Sequence, residues 1–115
     1  MSSKKTNRPQ DVRFSEKLAE ILLGCEEGHK LRRWLGGMVD LLWEDKTVGE
    51  QVPQDRIPKY YRINYDVTNL YRFEHPEDCR SIYTLKKFPG LGVCPLIIET
   101  LTHPEYNKRF RYRKR

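Results

Sequence analysis

One run has little freedom in how it can fold: residues 92–101, in which Val93, Leu96, Ile97, Ile98 and Leu101 make an almost continuous apolar stretch. An apolar run of this length bounded by turn residues predicts a strand buried on both faces, and so one lying centrally in its sheet. Pro95 has no N–H to give to a ladder, which confines the early part of that strand to an edge or a bulge. Two further strands are predicted before it, over about 69–75 and 79–87. Pro76, Glu77 and Asp78 form the turn between those two, and Pro89, Gly90 and Gly92 the turn to the third. The three together read as an antiparallel meander.

Upstream the period changes. Phe14, Leu18, Ile21 and Leu22 fall at helical spacing, and Gly24 supplies a stop after a short first helix. Leu31, Trp34, Leu35, Met38, Leu41 and Leu42 recur at steps of three and four, a wide apolar stripe with Lys30, Arg32, Arg33 and Asp40 mostly off it. Its Trp and Met read as helix packing, since a stripe at helical period needs no ligand to explain it. Residues 44–56 are charged and polar, with Gly49, Pro53 and then Pro58, and predict a long connection. The tyrosines of Lys59–Tyr65 alternate with basic residues, a pattern open to a strand, a turn or an irregular ligand-facing loop. A last short helix is predicted over 104–110, capped by Thr102, with Pro104 in its first turn and Glu105 favourable at its positive end. The expected fold class is α+β: two N-terminal helices packed on a small antiparallel sheet of three to four strands, closed by a short C-terminal helix.

At 115 residues the chain is one domain's worth. We divide it into a flexible basic arm over 1–10, a single domain over 11–112 and a basic tail over 113–115. The net charge of +6 favours a polyanionic partner, nucleic acid or a ribonucleoprotein, or an acidic protein that masks the basic face. No run reaches the roughly 18 apolar residues of a membrane span, and MSSKKTNRPQ has no apolar centre of a signal peptide, so the expected location is the cytoplasm, with no membrane partner. Cys25, Cys79 and Cys94 are an odd set, expected to be reduced and mostly buried. No C-x-x-C or H-x-x-x-H spacing points to zinc, and neither metal nor cofactor is expected.

Three pieces carry a resemblance: NLYRF at 69–73, RSIYTL at 80–85 and LTHPEY at 101–106. With two helices ahead of a meander, over roughly residues 12–112, they resemble the RelE/ParE superfamily of toxin–antitoxin toxins. The middle piece is similar to its recurrent Arg-apolar-apolar-Tyr strand, and the last to the turn that completes the site. His75, Asp78 and His103 are similar in place to the residues of the YafQ-like branch. The resemblance implies a metal-independent endoribonuclease that cuts mRNA in the ribosomal A site, held inactive by a cognate antitoxin, acidic or amphipathic-helical. It equally admits a non-catalytic RNA- or ribosome-binding protein, or a ParE-like inhibitor of a protein such as DNA gyrase. Glu74 departs from the basic residue common on the first strand, and residues 46–68 are longer than usual.

The residues can be judged on their own chemistry. Cleavage of RNA by its 2′-hydroxyl needs a base, a cation for the charge growing on the phosphate, and an acid for the departing 5′-oxygen. A histidine titrates near pH 6.5, which suits His75 or His103 to either proton-transfer role. Arg80 can hold two phosphate oxygens. Asp78 can orient a histidine or act as base, Glu74 is an alternative base, and Tyr106 can stack on a nucleobase or donate a hydrogen bond. Arg80 and Tyr83 lie three apart on one strand, so Arg80 is assigned to ligand and Tyr83 to core. Arg72, Lys108, Arg109, Arg111 and Arg113 are the expected RNA-binding cations. The last four fit phosphate neutralisation with Phe110 and Tyr112 between them, and the tail equally fits a dock for an acidic antitoxin.

Overall fold

The computed structural model describes residues 7–111 and is α+β, with four α-helices and one five-stranded mixed sheet. The strands are β1 (Arg13–Phe14), β2 (Glu50–Gln51), β3 (Tyr71–Glu74), β4 (Arg80–Phe88) and β5 (Gly92–Leu101), in spatial order β1-β5-β4-β3-β2. The meander is as expected. It is widened by two-residue strands at both edges, β2 antiparallel to β3 and β1 parallel to β5, so the sheet is neither purely antiparallel nor limited to four strands. Pro95 falls in the early part of β5, which has β4 on one side and, among the described residues, no strand neighbour on the other.

Helix α1 (Glu16–Leu23) starts one residue beyond Ser15, whose Oγ accepts from the Leu18 N–H at 3.1 Å. Phe14 therefore belongs to β1 and not to the helix. Ser15 also donates its own N–H to the Ile97 carbonyl and its hydroxyl to the Ile98 carbonyl, at 2.9 and 2.7 Å, which fastens the helix start to β5. Helix α2 (Lys30–Glu44) is capped by His29, whose Nδ1 accepts from Leu31. Of its stripe, Leu35, Met38 and Leu42 are buried, each stabilising by about 1.5–3 kcal/mol, while Leu41 is half exposed.

Residues 59–65 form helix α3 (Lys59–Tyr65), which corrects the reading of that segment as strand, turn or loop. Pro58 precedes it at the position where a missing N–H is harmless, and Asp66 ends it in the left-handed conformation at φ 51°. Helix α4 (His103–Arg109) carries the predicted cap: Thr102 accepts from the Glu105 N–H while the Glu105 carboxylate accepts from the Thr102 N–H.

Neighbouring residues of a strand point to opposite faces, and they sort into two cores. Tyr71, Tyr83 and Ile97 meet Leu18, Leu35, Met38 and Leu42 of α1 and α2. Leu70, Ile82, Ile98 and Leu101 meet Tyr61 of α3 and Phe110 behind α4. Helices thus cover both faces, not one. The register of β4 with β5 slips between Ile82 and Tyr83, whose partners are Glu99 and Ile97. The extra residue on β5 is Ile98, and this bulge turns both Ile98 and Glu99 toward α3 and α4.

Residues 7–10 lie at the end of α2: Lys46 donates its N–H to the Asn7 carbonyl at 2.8 Å, Arg8 pairs with Glu44 and Pro9 is buried. The rest of the predicted arm and the tail over 113–115 lie outside the described residues. Of the cysteines only Cys94 is buried, Cys25 and Cys79 being half exposed, so the expectation of mostly buried thiols is corrected. Among the described residues no helix is long and apolar enough to cross a membrane, and no group of three or more His, Cys, Asp or Glu could hold a metal ion.

Candidate functional site

The parity of β3 and β4 decides which polar side chains meet. Arg72 and Glu74 share a face of β3, and Glu74 is the cross-strand partner of Arg80, so all three project toward α4. Glu74 Oε2 lies 3.4 Å from Arg80 Nε and 3.8 Å from Arg72 Nε. Tyr106 of α4 comes down onto the same spot. Its hydroxyl is 2.9 Å from Arg72 Nη1, and the Arg80 guanidinium lies over its ring at 4.5 Å. Phe110 stacks against that ring at 4.3 Å, so the ring is already covered and Tyr106 serves to position the two arginines more than to stack on a base.

Arg80 also reaches the first residue of α4, with Nη1 3.5 Å from His103 Nδ1. A guanidinium has only donors, so Nδ1 accepts there; the other ring nitrogen, Nε2, lies 3.3 Å from Asn107 Nδ2. Across β2, Glu50 pairs with Arg72, as their cross-strand register requires. Burial works against the Arg72 charge, yet its bonds to Glu50 and Tyr106 more than offset this and hold its pKa above the ordinary arginine value.

The other expected residues are dispersed. His75 follows β3 in the same parity as Tyr71 and Phe73, so it lies on the face of α1 and α2, away from Arg80. It is buried, bonded through Nε2 to Ser81 Oγ at 2.7 Å and stacked on Trp34 at 5.7 Å between ring centres. Burial pushes its pKa down to about 4. Asp78 sits at φ 57° in the β3–β4 turn and Lys108 on the outer side of α4; with His103 they line a groove of about 910 Å³ between α1, α2 and α4. Arg109 makes a bidentate pair with Glu99, both bonds 3.0 Å, and covers the Tyr60 ring at 3.6 Å, so its charge is engaged inside the domain. Arg111 is exposed and Arg113 lies outside the described residues.

Glu50 was missed by the sequence reading because it stands in a charged connection whose register against β3 has no local signature. The position of His75 did have a signal: in 71–75 the odd residues Tyr71, Phe73 and His75 alternate with Arg72 and Glu74.

The environment of His75 carries a pH prediction. Its folded pKa, about 4, lies below the unfolded value near 6.5, so the buried neutral ring stabilises the fold above pH 6.5. That stability is lost as pH falls through the window toward 4, by up to about 3 kcal/mol. Urea denaturation at stepped pH should show this slope in the wild type and its loss in His75→Gln; equal slopes in the two proteins would contradict it.

Comparison of the chain with family models, curated proteins and solved structures returns no match in any of the three.

Proposed function

We propose that this chain is the toxin of a type II toxin–antitoxin pair, an endoribonuclease of RelE type that cuts mRNA on the ribosome through the RNA's own 2′-hydroxyl. The observation that carries the reading is the meeting of Arg72, Glu74, Arg80 and Tyr106 with His103 on one face of the sheet. The resemblance of 69–73, 80–85 and 101–106 adds to it. In this mechanism a phosphate takes the donors of Arg80, as a stronger acceptor than the imidazole it now touches. His103 Nδ1 is thereby released and takes the proton of the 2′-hydroxyl. The 2′-oxygen attacks phosphorus, the bond to the 5′-oxygen breaks, and that oxygen is protonated from water. Products are a 2′,3′-cyclic phosphate and a 5′-hydroxyl, and the charge on the phosphate in transit falls on Arg80. Glu74 spaces the two guanidiniums. No metal enters. The partners on this reading are mRNA on the ribosome and a cognate antitoxin.

The carboxylates beside both arginines favour a second reading, a binding protein without catalysis, since they lower the net charge of the site. Induced expression in a bacterial host separates the two. Growth arrest with new 5′-hydroxyl ends inside translated codons is expected. Intact transcripts in arrested cells, with DNA damage signalling, would move the reading to a gyrase-type target. Unarrested growth with soluble protein that binds RNA would leave the binding role.

A further inference from the structure

The arginine cluster opens on one side into a second, smaller cavity. It measures about 170 Å³ and is lined by Glu50, Val52, Pro53, Arg56, Arg72 and Tyr106. Its walls follow from the path of the chain. Edge strand β2 pairs with β3 through Glu50 and Gln51, and Val52 extends the pairing by donating its N–H to the Leu70 carbonyl at 2.9 Å. Pro53 then turns the chain outward into a 3₁₀ turn, Gln54–Arg56. The result is a slot with an apolar side from Val52 and Pro53 and a charged side from Glu50, Arg56 and Arg72.

Three properties limit what the slot can take. Its volume is below the roughly 300 Å³ at which drug-sized ligand sites begin, so one planar ring system fills it. Its position is set by Tyr106, which forms one wall and carries Arg80 over its ring, so the slot and the Arg80 site are separated by the width of one side chain. A phosphate and a base of the same short stretch of strand span that separation. Its chemistry combines a carboxylate, which only accepts, with guanidinium groups, which only donate. Glu50 meets Arg72 through Oε1, and among the described residues its Oε2 takes no hydrogen bond.

We infer that this slot is a nucleobase pocket selective for guanine. The inference rests on the RNA reading above and assigns that substrate its base preference. Guanine alone among the four bases carries two adjacent N–H donors, N1–H and the N2 amino group, beside an acceptor, O6. The donors match Glu50 and the acceptor matches the arginine side. Adenine and cytosine offer one amino donor, and uracil one N–H between two carbonyls that would face the carboxylate. Single-stranded RNA is read in this manner, by splayed bases held on their edges and against guanidinium planes.

The test is equilibrium binding of the full chain to a short oligouridylate, 2′-O-methylated so that it cannot be cut, with one central position set to G, A, C or U. The G strand should bind about tenfold more tightly than the U strand, the discrimination of one good two-point contact. Glu50→Gln should bring that ratio close to one. Glu50 is exposed at the sheet edge, so the variant keeps the fold, and the ratio is insensitive to any general change in affinity from releasing Arg72. Equal binding of all four strands by the wild type, a preference for another base, or a G preference that survives Glu50→Gln would each overturn the inference while leaving RNA binding in place. Absence of binding to every strand at low salt would overturn the RNA reading itself.

Discussion

Under the proposed nuclease mechanism, Arg80→Ala is expected to lower RNA cleavage by about 100- to 1,000-fold, the usual cost of removing one donor aimed at charge that develops in the transition state. Arg80 is the group best placed for that role, since it touches Glu74, His103 and the Tyr106 ring at once. The effect should fall on turnover, with RNA affinity changed much less because Arg72 remains. Lysine at the same position should recover only part of the rate, as a point charge cannot hold two phosphate oxygens in a fixed fork. Single-turnover cleavage on programmed ribosomes, beside a thermal melt to confirm folding, is the measurement. Wild-type rates in a folded Arg80→Ala protein would remove Arg80 from the chemistry.

Glu99→Ala should be the most damaging single change to stability, at about 3–5 kcal/mol out of the roughly 5–15 typical of a domain. Glu99 joins the fully buried Tyr61, whose hydroxyl donates to Oε2 at 2.5 Å, to the half-buried Arg109. Burial, followed by the Glu99 charge, raises the Tyr61 pKa, so the phenol stays a donor and needs that acceptor. Alanine leaves a buried hydroxyl and a guanidinium without their partner. Glu99→Gln keeps one acceptor oxygen and should lose less than half as much. Chemical denaturation of the three proteins checks the order; equal losses for alanine and glutamine would show that the side chain's volume, and not its acceptors, sets the stability.

The meander and α4 were legible because each carries a local rule: turn residues between apolar runs, and a Thr-x-x-Glu box before a proline-started turn. Helix α3 was not. Three of the seven residues in KYYRINY are tyrosines and one is isoleucine, residues that favour strands, and its helical state is imposed by Pro58 and by the burial of Tyr61 against Ile82 and Ile98. Two residues have no period, which is why β1 and β2 were invisible. Arg72, Arg80, Tyr106 and His103, picked from their types and places, come together in the structure. That His75 stands apart from them is a matter of face, that Asp78 shares only the groove lined by His103 is a matter of turn geometry, and Arg109 is drawn inward by a carboxylate that only the bulge in β5 turns toward it.

The parallel edge pairing of β1 with β5 has a consequence for the order of assembly. Ser15 bonds to Ile98, 83 positions away, and β1 meets Leu96 and Ile97 across a similar span. Contacts of such long range form late, because the loop must close before they repay its lost freedom. The β3–β4–β5 hairpins, by contrast, close over short turns. Helices α1 and α2 precede the meander in synthesis, and their apolar stripes have no complete sheet to rest on until β3, β4 and β5 have all emerged. The vulnerable stage in the life of this chain is therefore its synthesis, when Leu18, Leu35, Met38 and Leu42 stand uncovered and open to chaperones or to aggregation.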